Sequence, residues 1–209
     1  MSYCSWGDSS PTNWKYHHNE WGVPLRDDRM QFEFLMLEVL QCGLNWNMMM
    51  QKRDIFRACF DGFDHDLVAG YGEEDIQRIL NTEGMIRSRR KIEAIINNAR
   101  CFNDIRREFG SFSAFLWSYS KGRTILYDRH ADGWIPASNG LSERISKDLR
   151  IRGFKFLGAV TVYSHLQACG IVNDHSRSCP CYARINQANP TVRMRADAES
   201  GVQYYGDDE

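Results

Sequence analysis

The chain has no apolar run approaching the roughly 18 residues that a membrane-spanning helix needs, and residues 1–10 lack the charged-then-apolar pattern of a secretion leader. A soluble, cytoplasmic protein is therefore expected. No charge sign dominates: 26 Lys+Arg stand against 27 Asp+Glu, a net charge of −1. That excludes a histone-like polycation but not a basic face offset by acidic residues elsewhere. Internal repeats and low-complexity segments are absent. Proline is scarce, five in 209 residues, and Pro11, Pro180 and Pro190 lie near the ends. Long stretches are thus free to be helical. The seven cysteines, at 4, 42, 59, 101, 169, 179 and 181, are an odd number. Without a leader they read as free or metal-bound thiols rather than a disulfide framework.

What is present is an ordinary globular composition, 43% hydrophobic and 25% charged, long enough for one domain or two small intertwined ones. Helical spacing predicts a largely buried helix over 29–42, where Met30, Phe34, Leu37 and Gln41 share one side and Leu35, Val39 and Leu40 widen the stripe. A short helix is predicted over 73–81, opened by the acidic Glu73, Glu74 and Asp75. A longer one over 88–107 repeats Ile92, Ile95, Ile96, Ala99 and Phe102. Further helices are expected over 111–119, 141–150 and 159–169. Residues 120–140, with three glycines and Pro136, read as a long loop. From Arg184 onward apolar residues thin out, and residues 184–209 are expected to be a mobile, dispensable tail. The fold class read from these elements is all-α.

Three constellations carry chemistry. His175 and Cys179 are four apart, on one helical turn or in a tight loop, and both can reach one ion. Tetrahedral zinc needs two more N or S ligands, and Cys4 and His17 stand at the other end of the chain. Such a set would clip the termini together structurally. His18 and Cys181 are alternative ligands one or two residues away, and ordinary thiols are the competing reading. The second constellation is Gly153-Phe-Lys-Phe-Leu-Gly158 between two predicted helices. Its glycines would let backbone amides face a phosphate, with Lys155, Arg150 and Arg152 nearby, although a plain glycine-capped corner has the same look. The third is aromatic. Trp6, Trp14, Tyr16, Trp21 and Trp46 crowd the first quarter of the chain, and Glu38 sits inside an apolar helix where a carboxylate is costly without a partner. Stacked aromatics with one carboxylate suit a flat cation or a base with N–H donors.

Cys4-Ser-Trp6, Tyr16-His-His-Asn-Glu-Trp-Gly22, Leu37-Glu38, Gly43-Leu-Asn-Trp46, Arg152-Gly-Phe-Lys-Phe-Leu-Gly158 and Gln167-Ala-Cys-Gly-Ile-Val-Asn-Asp-His175 together resemble the 3-methyladenine DNA glycosylase I family, from about residue 3 to residue 182. The resemblance implies an all-α helix-hairpin-helix glycosylase fold with its termini clipped by one structural zinc on Cys4, His17, His175 and Cys179. It implies hydrolysis of the N-glycosidic bond of 3-methyladenine in double-stranded DNA by a monomer. Glu38 would read the flipped base at the catalytic site, and Trp6, Tyr16, Trp21 and Trp46 would stack on it. The hairpin, with Gly153, Lys155 and Gly158, would hold DNA phosphates, and Gly43-Leu44 would plug the gap in the duplex. The expected organisation is a glycosylase unit over 1–183, with the hairpin near 145–170 and a zinc-clipped subdomain from 1–25 and 170–183, followed by the tail.

Three positions depart from the family pattern: Asn45 stands where Ser is usual, His18 where Asp follows the zinc histidine, and Asn13 where Tyr is expected. They bear on substrate range and ligation, and they motivate two rival readings. One is a shifted alkyl-lesion range. The other is a zinc-stabilised DNA-binding module without catalysis. The superfamily's usual catalytic Asp falls within Val172-Asn173-Asp174-His175, on Asn173 or Asp174.

Overall fold

In a computed structural model of the chain, which describes residues 4–195, the first helix is α1 (Pro11–Asn19), capped by the Ser10 hydroxyl. The next, α2 (Asp28–Gln41), organises the rest. The Asp27 carboxylate accepts from the Met30 amide to cap α2, and every residue from Gln31 to Leu40 is buried. A helix buried all round must be wrapped on all sides. It packs directly against α3 (Trp46–Gln51), α7 (Arg89–Phe109), α8 (Phe112–Ser118) and α10 (Ala159–Ala168), while α4 (Arg53–Cys59) packs on α3, and α5 (His65–Ala69) and α6 (Glu73–Asn81) on α7. Polar ties fix both ends of α2. Asp28 accepts from the amides of Phe112 and Ser113 at the start of α8. At the other end the buried Lys91 ammonium donates to the carbonyls of Leu40 and Cys42, satisfying groups that a helix end leaves unpaired. In the core between them, Phe102 stacks on Phe112 with ring centres 4.2 Å apart.

The second half of the chain adds α9 (Gly140–Ile151), α10 (Ala159–Ala168) and α11 (Pro180–Ala188). The helices predicted over 29–42, 73–81, 88–107, 111–119, 141–150 and 159–169 are all formed. Among the described residues no helix is long and apolar enough to cross a membrane.

Two expectations are corrected. The 120–140 segment contains β1 (Thr124–Tyr127), which pairs in parallel with β2 (Thr191–Met194), so the fold is mostly helical rather than purely so. All four β1 residues are buried, and without alternation such a short run carries no strand period. β1 also holds the segment after α10: the Ile125 amide donates to the Ile171 carbonyl, and the Asn173 amide to the Ile125 carbonyl. The second correction concerns the boundary at 183. Residues 184–188 continue α11, and Ile185, Val192 and Met194 are buried. The start of the expected tail is therefore part of the fold, while the expectation for residues 196–209 lies outside the described residues.

A chain ended after Ala183 is expected to lose several kcal/mol of stability, at roughly 1.5–3 kcal/mol for each large apolar side chain removed from the core. Urea unfolding of that chain beside the full-length protein measures the difference.

Candidate active site

A cavity of about 650 Å³ opens between the N-terminal segment, α2, α3, α10 and the 174–176 turn. Trp6, Tyr16 and Trp21 form one wall, and Trp46, the first residue of α3, joins them. The Trp6 and Trp21 rings meet edge to face at 5.0 Å, and Tyr16 lies 5.2 Å from Trp46. The structure thus brings together all four sequence-predicted aromatics around Glu38. Trp14 points elsewhere, half exposed and stacked on His18.

Glu38 lines this cavity from the last turn of α2 and is only 5% exposed. Its carboxyl has no hydrogen-bond partner among the described residues. Burial pushes it up to about 8 from an ordinary 4.5. Burial and the proximity of Glu38 together push the Tyr16 phenol well up. Two sealed polar atoms at the cavity, the indole N–H of Trp46 and the Oδ1 of Asn13, also lack a partner among the described residues. Asn13 donates through Nδ2 to the Ser9 hydroxyl, which leaves Oδ1 as a buried acceptor with nothing to accept. Asn45 caps α3, its Oδ1 accepting from the Asn47 amide, and also lines the cavity.

Behind the aromatic wall, ligand atoms of Cys4, His17, His175 and Cys179 all lie within 4.8 Å of one another. The Cys179 thiol is 3.6 Å from His175 Nδ1 and 3.8 Å from His17 Nε2, and the Cys4 thiol is 3.7 Å from His175 Nδ1. The 175–179 segment is a turn rather than a helix, and Cys179 caps α11. Burial holds the imidazoles neutral, His17 near 4 and His175 near 3, the form that ligates a metal. His175 directs its other nitrogen to the Trp21 carbonyl at 3.1 Å, which orients the ring. The chain passes close here: a Cβ on Gly22 would stand 3.0 Å from His175 Nε2, and the φ of +80° at Gly22 itself favours glycine. His18 sits outside the cluster, its Nδ1 3.2 Å from His17 Nδ1 and 3.0 Å from the Trp14 carbonyl. With His17 and Cys181 it makes a separate group of three.

The glycine turn joins α9 to α10 as expected, but two details differ. The Gly153 amide donates to the Arg150 carbonyl and the Lys155 amide to Asn98 Oδ1, so neither is free for a ligand. Among the described residues the amides of Phe156, Leu157, Gly158, Ala159, Val160 and Thr161 have no acceptor, across the end of the turn and the first turn of α10. Arg152 pairs with Glu108 and Asp148 rather than facing solvent. The Lys155 side chain is exposed, and its ammonium makes no hydrogen bond or ion pair among the described residues. Gly43, at φ +78°, turns the chain so that Leu44 is exposed. Cys42, one residue earlier, reaches the Phe156 carbonyl at 4.0 Å, which places the leucine turn beside the glycine turn.

A further cluster was not legible in the sequence. Asp174 is buried at the cavity wall and accepts from Tyr163 Oη at 2.6 Å, Gln167 Nε2 at 2.8 Å and His130 Nδ1 at 2.8 Å. Asn173 turns away, donating to the Tyr182 carbonyl and to Asn186 Oδ1. Of the two residues left open, Asp174 therefore borders the cavity. His130 lies in a glycine- and proline-containing segment with no spacing signal to mark it.

The fold and site are those of a mostly helical protein with an open aromatic cavity that holds one buried carboxyl without a partner among the described residues. The likeness to known proteins is specific. The sequence profile described as "Methyladenine glycosylase" matches residues 6–182. DNA-3-methyladenine glycosylase 1 of Escherichia coli (strain K12) is 42% identical over 182 residues, covering 87% of this chain and 97% of the relative. A crystal structure of 3-methyladenine DNA glycosylase I superposes with a TM-score of 0.82 at 42% identity, covering 87% of this chain and 100% of the other. A Y16F variant of 3-methyladenine DNA glycosylase I, in complex with 3-methyladenine, superposes with a TM-score of 0.81 at 36% identity, covering 86% and 97%. The chain belongs to the methyladenine glycosylase family.

The raised Glu38 pKa has a signed consequence for stability. Between 4.5 and about 8 the unfolded chain releases this proton while the folded chain keeps it, so Glu38 costs increasing stability as pH rises through that window, saturating above it. Glu38→Gln is therefore expected to be near neutral for stability at low pH. Above about pH 8 it should stabilise the fold by roughly 3–5 kcal/mol, at 1.36 kcal/mol per unit of pKa. Thermal unfolding of both proteins across pH measures this.

Proposed function

We propose that this protein is a DNA-repair glycosylase that hydrolyses the N-glycosidic bond of 3-methyladenine in double-stranded DNA. The observation that carries the reading is Glu38, a buried, unpaired carboxyl enclosed by Trp6, Tyr16, Trp21 and Trp46. The similar Y16F structure holding 3-methyladenine supports it, since Tyr16 carries the same residue type and number here.

The damaged base leaves the stack at a cost of a few kcal/mol. Leu44 fills the space it vacates. Lys155 and the free amides at the start of α10 hold phosphates without reading sequence. A 3-methyladenine still attached to its sugar is a cation. In the cavity its charge favours loss of the Glu38 proton, and the carboxylate then accepts from the N–H edge of the base while the rings add cation–π attraction. A neutral base brings no charge to offset the ionisation, and the carboxyl stays protonated. When the C1′–N bond breaks, the base takes the electron pair and becomes neutral, so it leaves without an acid. Glu38 thus selects the lesion, and it loses its counter-charge as the bond breaks.

The four-donor cluster fits zinc. Zn–S near 2.3 Å and Zn–N near 2.0–2.1 Å give a tetrahedral S···N edge of about 3.6 Å, which the Cys–His separations of 3.6–3.8 Å approach. Cys4, His17, His175 and Cys179 would hold the ion, which would supply structural closure, tying the segments that carry Trp6 and Trp21 to the 174–176 wall. A monomer suffices for this site, because one chain supplies every wall. The unpaired Oδ1 of Asn13 favours one variant of the reading, an alkyl-lesion range shifted toward bases that present an extra N–H to that acceptor.

Release of free base from lesion-bearing duplexes tests the reading. 3-Methyladenine is expected to be released, with hypoxanthine and uracil, both neutral, retained. Glu38→Ala should abolish release with little change in non-specific DNA affinity, which phosphate contacts carry. Binding without release from any alkylated duplex would identify a DNA-binding module instead.

Elemental analysis should find about one zinc per chain. Cys179→Ser should lower both metal content and melting temperature, because an ion bound only by the folded state stabilises it.

A further inference from the structure

Glu38 selects the base but gains nothing as positive charge moves from the base to the sugar, and only interactions strengthened in the transition state accelerate a reaction. The cavity wall away from the tryptophans carries groups that can act there. Asp174 Oδ2 is taken by Tyr163 Oη and Gln167 Nε2, while Oδ1 accepts from His130 Nδ1 at 2.8 Å. With the proton on Nδ1 the imidazole is held in one tautomer, and Nε2 on the opposite edge of the ring carries the lone pair. His130 borders the cavity. Its Nε2 has no hydrogen-bond partner among the described residues and is not among the sealed, unpaired atoms.

The backbone around His130 is built for this placement. Arg129 adopts φ +71° and Gly133 φ +95° on either side of the 3-10 turn His130–Asp132. The left-handed conformation at a non-glycine residue is costly and persists only where the surroundings impose it. The Arg177 amide donates to the Ala131 carbonyl at 2.7 Å, and the Arg177 guanidinium pairs with Asp132, so the turn is fastened to the segment that carries Asp174. The Tyr127 ring lies 4.9 Å from the imidazole.

Resting on the glycosylase reading above, we propose that His130 is a catalytic residue that accepts the proton of the attacking water, with Asp174 as its positioning residue. The C1′–N bond breaks with its electron pair going to the base, which becomes neutral. The water oxygen bonds to C1′, and one water proton passes to His130 Nε2 and then to solvent. The products are the neutral base and a sugar bearing a C1′ hydroxyl, and no other reactant is required. Asp174 Oδ1, 2.8 Å from Nδ1, keeps the ring oriented as Nε2 takes up the proton.

The test is single-turnover release of 3-methyladenine from duplex DNA, with enzyme in excess, by wild type, His130→Asn and His130→Ala. Asparagine can keep a donor toward Asp174 while removing Nε2. Both variants are expected to release base roughly 10²–10⁴-fold more slowly, the usual contribution of general-base catalysis. Their affinity for the duplex should stay within about twofold of wild type, and added imidazole should restore part of the rate to His130→Ala. A structural role would not give imidazole rescue at unchanged affinity. Any other pattern overturns the assignment: a His130→Asn rate near wild type, weakened duplex binding that accounts for the loss, or no rescue. Absence of release by the wild type would instead overturn the glycosylase reading, before any variant is compared.

Discussion

One buried carboxyl without a partner sets the terms for the whole site. Glu38 lies in the last turn of α2 between the apolar Leu37 and Val39, and burial alone raises its pKa to about 8. A protein keeps such a group only if something else benefits, because an unpaired polar group in the interior costs stability. The aromatic wall supplies the low-dielectric surroundings that make the carboxyl responsive to charge. A cationic guest lowers the cost of ionising it, and a neutral guest does not. Under the proposed reading, selectivity for a positively charged base follows from solvation as much as from hydrogen bonding.

That environment depends on bringing together parts of the chain far apart in sequence. Trp6 and Trp21 come from the N-terminal 25 residues, and Asp174 and Ser176 from the other end of the matched region. The Cys4, His17, His175 and Cys179 donors meet directly behind this junction, and β1 fastens Ile171–Asn173 from a third direction. The site has two sides of different character. Glu38 and the tryptophans line one part of the cavity, and the His130–Asp174 pair lines another.

The helices with strong 3.6-residue spacing were readable because each buries a stripe that the spacing displays, as in Ile92, Ile95, Ile96, Ala99 and Phe102. The four aromatics, Glu38 and the four metal donors were readable from residue type and family motif. β1 and β2 were not: each has four residues, and their pairing spans more than sixty positions, so no local period marks it. Arg184 looked like the start of a tail because charge and polarity rise there, yet Ile185, Val192 and Met194 are enough to pack that stretch. The glycine turn was located correctly, but which amides were free depended on Asn98, a residue on α7 that contacts the turn only in three dimensions. His130 was invisible for the same reason: its significance lies in its 2.8 Å contact with Asp174, 44 residues away.

The most direct measurement is the ionisation of Glu38 itself, read from the carboxyl carbon of labelled glutamate by NMR across pH. The free protein should titrate with a midpoint near 8. Saturation with a permanently cationic 3,9-dialkyladeninium should move that midpoint downward, with no comparable shift from neutral adenine. A midpoint at the ordinary value of 4.5 in the free protein, or equal responses to the cationic and neutral bases, would contradict the account.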